Sequence, residues 1–102
     1  MINVEDIKNQ FQAEYEQAQD YTRIINAIRV WMEIDMENNL STSELIFYKP
    51  VYPHISKNFF KVANLLKEYG VKFSAYSACE KGKDGEPVLF YKLIIRLREG
   101  KL

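Results

Sequence analysis

The sequence predicts an α+β fold, with helices in the N-terminal half followed by a helix and a β-hairpin. Three observations predict it. From Met1 to Lys49 there is neither glycine nor proline, so hydrophobic periodicity decides the local structure, and its period is helical. A second amphipathic run closes at Gly70. Beyond Gly70, two segments alternate with period two around a Gly- and Pro-containing turn, as strands of a hairpin do. At 102 residues, with 47% apolar and 27% charged residues, the chain fits one globular domain, residues 1–102.

The first element rests on Val4, Ile7, Phe11, Tyr15 and Ala18, at three- and four-residue steps, which place them on one helix face. Asn3 is the expected N-cap, with Glu5 and Asp6 at the positive end of the helix dipole. Asp20 is expected to cap a second helix from near Tyr21, carrying Ile24, Ile25, Ile28, Trp31, Met32 and Met36. The alternative is one helix of some 35 residues, about 50 Å long. Val4, Ile7, Phe11, Ala18, Tyr21, Ile25, Ile28 and Met32 follow a heptad, which suits a homodimer paired through these helices, although Glu14 interrupts the seam.

Asn38 to Ser43 is a polar break, and Ser41 with Glu44 has the form of a capping box. The composition of Leu45-Ile46-Phe47-Tyr48 instead favours a strand, and Pro50 and Pro53 keep either element short. Ser56 is expected to cap the clearest helix, with Phe59, Val62, Ala63, Leu66 and Tyr69 on one face, Lys67 in the last turn and Gly70 as the stop. The strands are placed at residues 71–75 and 89–97, joined by a mobile, charged tip at Gly82-Lys83-Asp84-Gly85-Glu86-Pro87.

Charge divides the chain. Residues 1–40, the acidic helical part, carry three basic against eight acidic groups, a balance of −5, and residues 41–102 carry eleven against six, a balance of +5. Such a division suits a basic surface for a polyanion, an acidic surface for a protein partner, or attraction between the two halves.

The order of the second half, from polar break through short element, turn and capped helix to strand, basic tip and strand, resembles the winged helix-turn-helix superfamily. The resemblance is one of pattern over about the last 60 residues and the preceding helix. It implies a first motif helix from Ser43 onwards, a recognition helix from Ser56 to Tyr69 and a wing at Lys81 to Pro87. If Leu45 to Tyr52 is instead a strand, the alternative is a β-α-β-β arrangement, a three-stranded sheet backed by helices. Lys57, Lys61, Asn64 and Glu68 share the helix stripe opposite the apolar face, with Asn58 to one side. Lysine neutralises phosphate and asparagine pairs with adenine, so Lys57, Asn58, Lys61 and Asn64, the amides near Ser56, and Lys81 and Lys83 at the tip form the candidate duplex-DNA surface. Lys92, Arg96 and Arg98 add positive charge. Tyr48, Tyr52, Tyr69, Tyr76 and Tyr91 are of a type that stacks bases on a sheet or completes a core.

Catalysis requires converging groups. His54 between Pro53 and Ile55, and a lone Cys79, offer no such pattern, nor a soft-ligand zinc site or an internal disulfide. No cofactor is expected. No apolar run approaches a membrane span and the first residues lack the pattern of a secretion signal, so the sequence reads as cytoplasmic. The expected function is that of a small non-enzymatic DNA-binding regulator; the alternative is a protein-interaction module, an adaptor or inhibitor docking through its acidic helices or hairpin edge.

Overall fold

The computed structural model describes residues 3–97. Five elements follow in order: α1 (Val4–Glu37), β1 (Thr42–Tyr48), α2 (Ile55–Glu68), β2 (Phe73–Lys81) and β3 (Pro87–Arg96). The strands form one antiparallel sheet in the order β1-β3-β2. The fold is α+β, and of the two arrangements the β-α-β-β sheet backed by helices is the one that forms.

Residues 4–37 make one helix of 34 residues, not two. Nothing between them breaks it, and Asp20 does not turn back to cap its own backbone. Its carboxylate reaches out of the helix instead, accepting from the His54 backbone N–H (2.9 Å) and from Arg23 (3.2 Å). Asn3 caps the N-terminus as expected, its Oδ1 accepting from the Glu5 N–H at 3.0 Å. At the other end Asn39 takes φ +60°. The Asn39 N–H donates to the Met36 carbonyl and the Leu40 N–H to that of Asp35, so the polar break is a Schellman cap with asparagine in the left-handed position.

The helix expected from Ser43 onwards is a strand, which removes the first motif helix that the winged-helix resemblance called for. Ser43, Leu45 and Phe47 are buried while Glu44 and Ile46 are exposed, the period-two pattern of a half-buried strand. Glu44 leaves the capping box and pairs with Lys92 on β3. Pro50 and Pro53 fall in a run of turns at 49–54, where they leave no room for a helix of useful length.

Helix α2 begins one residue before the expected cap. His54 holds the N-cap position without a side-chain bond, and Ser56 lies inside the first turn. Asp20, from α1, accepts from the N–H of the N-cap residue itself, the bond that the third helical side chain of a capping box would otherwise make. The C-terminus closes at Gly70, φ +70°, with Gly70 N–H on the Lys67 carbonyl and Val71 N–H on that of Leu66. The strands of the hairpin run longer towards the tip than the alternation suggested, and the tip is pinned. Gly82 N–H donates to Glu86 O (2.8 Å), Gly85 N–H to Gly82 O (3.0 Å) and Glu86 N–H to Asp84 Oδ1 (3.0 Å). Gly85 at φ +83° takes a conformation that suits glycine.

The core lies between one sheet face and the two helices. Ile24 and Ile28 of α1, Leu45 and Phe47 of β1, Ile55, Phe59, Val62 and Leu66 of α2, and Leu93 and Ile95 of β3 are buried together. Phe47 meets Tyr52 edge-on at 5.2 Å, and Phe59 meets Tyr91 at 4.8 Å. The molecule spans 63 × 36 × 19 Å with a radius of gyration of 16.7 Å. A compact chain of this length has about 13 Å; the excess is α1, which overshoots the sheet.

Candidate interaction surfaces

Helix α2 distributes the candidate nucleic-acid residues over three environments. Lys57, Lys61 and Asn64 are exposed. Asn58 is fully buried, its Nδ2 donating to the Gln17 carbonyl (3.0 Å) and its Oδ1 accepting from Gln17 Nε2 (3.4 Å). The side chain suited to reading an adenine therefore joins α2 to α1. Ser56 is half-buried, with its Oγ accepting from the Tyr91 hydroxyl at 3.2 Å. Lys61 reaches back over the Tyr21 ring, 5.8 Å from its centroid, and Asn64 lines a shallow groove with Glu68 and residues of α1. Lys81 ends β2 and Lys83 lies in the turn, both exposed. Lys92 is engaged by Glu44 at 2.9 Å, which raises its pKa above the ordinary lysine value. Arg98 lies outside the described residues.

No comparison with known proteins returned a match, whether to family models, to characterised proteins or to solved structures.

The side chains themselves show two apolar surfaces that the periodicity did not separate. The first is the N-terminal part of α1. Residues 4–16 are exposed throughout, with Val4 at 67%, Phe11 at 66% and Tyr15 at 58%. Engagement with the rest of the fold is recorded from Glu16, near His54 at 4.0 Å, and from Gln17 at Asn58. Local pairs, Lys8 with Glu5, Gln10 with Glu14 and Gln12 with Glu16, support the helix over this arm.

At about 100° per residue, the stripe of Val4, Ile7, Phe11, Tyr15 and Ala18 lies roughly 140° around the helix from Asp20, Ile24 and Ile28, which face the core. The heptad read along the whole helix thus crosses two surfaces, because a 3.5-residue repeat drifts by about 20° per heptad on a straight helix. Its later positions, Tyr21 and Ile28, pack against the body. Its earlier ones stand free.

The second surface is the sheet face away from the helices. Register places Ile46 and Tyr48 of β1, Phe90, Lys92 and Ile94 of β3, and Tyr76 of β2 on it. Tyr48 and Phe90 are 5.8 Å apart and Tyr76 and Phe90 6.4 Å apart, and Tyr76 is 49% exposed. The Glu80 carboxylate accepts from the Tyr48 hydroxyl and raises its pKa. The tyrosines divide accordingly. Tyr48 and Tyr76 belong to the open face, Tyr52 and Tyr91 pack on core aromatics, and Tyr69 lies at the end of α2, 78% exposed.

Among the described residues no three of His, Cys, Asp and Glu converge as a metal-binding group. Cys79 is exposed on β2. No helix among these residues is long and apolar enough to cross a membrane.

Proposed function

We propose that this chain is a non-enzymatic protein-interaction module whose docking element is the N-terminal arm of α1. One observation carries the reading: a helical arm presents Val4, Ile7, Phe11 and Tyr15 on one stripe, and among the described residues no other element covers them. Isolated surface apolar residues are ordinary, but a contiguous stripe is characteristic of an interaction site. An amphipathic helix offering anchors at i, i+3 or i+4 and i+7 is a recurrent recognition element. The test is Ile7→Glu combined with Phe11→Glu. Both side chains are exposed, so far-UV circular dichroism and the denaturation midpoint should be unchanged while the protein's native complexes, sized by light scattering, are lost. Complexes of unchanged size in the folded double variant would refute the assignment.

Duplex-DNA binding through α2 and the hairpin tip is the second reading, favoured by the exposure of Lys57, Lys61 and Asn64 along α2 together with Lys81 and Lys83 at the tip. It predicts fluorescence anisotropy binding of a random duplex that weakens steeply between about 50 and 200 mM salt. Lys57→Glu with Lys61→Glu should lower the slope of log affinity against log salt by about 2. An unchanged slope would remove α2 from the contact.

A further inference from the structure

The arm's apolar stripe does not stop where the body begins. At about 100° per residue it continues along the side of α1 turned from the sheet through Ala18, Thr22, Arg29 and Met36, all exposed. From Val4 to Met36 it is about 48 Å long. The occupant must therefore be long, and it must match a pattern with a cation in it, because Arg29 lies at the same angular position as Phe11.

We propose that this face is covered by the same face of a second copy of the chain, running antiparallel, with the two-fold axis between Ala18 and Thr22. The proposal rests on the arm being an interaction element and names what it binds. Three features favour this occupant and this direction. With the axis at that point, each residue opposes the one whose number completes a sum of about 40. Phe11 then faces Arg29 of the other copy, an arrangement that places a guanidinium on a ring, Val4 faces Met36, and Lys8 falls beside Glu33. The small residues Ala18 and Thr22 sit at the crossing, where close approach of two helices requires them.

Individual pairs, not net charge, select the same direction. Each arm faces residues 24–36 of the other copy, where Arg29 stands against Glu33 and Asp35, so antiparallel packing supplies the Lys8–Glu33 and Phe11–Arg29 pairs, whereas parallel packing sets Arg29 against Arg29. Glu5, Asp6 and Glu16 lie on the opposite side of the arm from the stripe, and Glu14 lies at its edge.

Area decides the extent of the overlap. With an aromatic side chain worth roughly 200 Å² and aliphatic ones less, the four arm anchors at their observed exposures offer about 400 Å² per copy, or about 800 Å² for a pair. That falls short of the roughly 1,000 Å² that a specific interface clears. Extending the overlap to Met36 takes it past that value.

Sedimentation velocity of the full chain over a wide dilution series should show a species of twice the 12.0 kDa monomer. Lys8→Glu puts a carboxylate beside Glu33 of the other copy and should weaken the dimer by about tenfold. Lys8→Arg keeps the cation and should leave it nearly unchanged. Adding Glu33→Lys to Lys8→Glu should restore pairing. A wild-type chain that is monomeric throughout overturns the second copy as occupant. That result is distinct from failure of the arm reading, which requires complexes of any kind to survive Ile7→Glu with Phe11→Glu. A dimer that Lys8→Glu leaves unweakened, or weakens with no rescue by Glu33→Lys, overturns the antiparallel arrangement.

Discussion

Replacing Asp20, a buried acid of α1, with alanine should destabilise the protein strongly. The carboxylate is 3% exposed and accepts from the N–H of His54, the residue at the N-cap of α2, at 2.9 Å. A hydrogen bond to a charged acceptor is worth about 1.5–3 kcal/mol, and a negative charge at a helix N-terminus adds roughly 0.3–1 kcal/mol. The Arg23 partner is 52% exposed, so solvent screening holds that pair to about 1 kcal/mol or less. The loss should be about 3 kcal/mol, a large part of the roughly 5–15 kcal/mol a domain of this kind possesses, and the melting temperature should fall by about 15 °C. Asp20→Asn retains an acceptor and should lose about 1 kcal/mol. Urea unfolding followed by far-UV circular dichroism, at one fixed protein concentration, measures both. An Asp20→Ala variant within about 0.5 kcal/mol of the parent, the usual effect of a surface change, would refute the view that Asp20 caps α2 from a distance.

Asn58→Ala should cost about 1–3 kcal/mol, because it strips the partners from a buried junction, and chemical denaturation would show this; a loss of DNA affinity with unchanged stability would contradict the burial of Asn58. Leu93→Ala, at the centre of the core, should cost about 2–5 kcal/mol, whereas Tyr76→Ala on the open sheet face should cost well under half as much, a contrast that thermal unfolding reads directly. Gly70→Ala should destabilise by about 1 kcal/mol. Apart from its chain neighbours, no described residue comes within 4 Å of the added methyl, so this cost would come from the local backbone, and a neutral result would exclude the left-handed cap.

The elements that local chemistry dictates were legible in the sequence. The Asn3 cap, the amphipathic run closing at Gly70 and the hairpin around Gly82 to Pro87 all depend on residues close in the chain. The identity of 42–48 was not, because Ser41 and Glu44 satisfy a local helix signal that only pairing with the distant β3 overrides. Asp20 misled for a related reason. An aspartate amid helical periodicity looks like a cap for its own chain, and its true partner is the amide of His54, 34 residues away. Of the candidate site, Lys57, Lys61, Asn64, Lys81 and Lys83 are exposed as expected, while Asn58 and Ser56 are absorbed into contacts with Gln17 and Tyr91. The arm was within reach of the sequence: the angle between Val4-Ile7-Phe11 and Asp20-Ile24-Ile28 follows from numbering alone. Which of the two stripes met the sheet depended on the fold.

The position of β3 has a consequence for how the protein is made. Of the described strands, the last in sequence is the middle one of the sheet, and its Leu93 and Ile95 occupy the centre of the core. Until residues 87–96 have been synthesised, β1 and β2 have no common neighbour to pair with, and the cluster of α1, β1 and α2 side chains lacks Leu93 and Ile95 at its centre. A nascent chain ending before Pro87 therefore has no sheet, and its incompletely covered apolar faces are open to chaperones and to other chains.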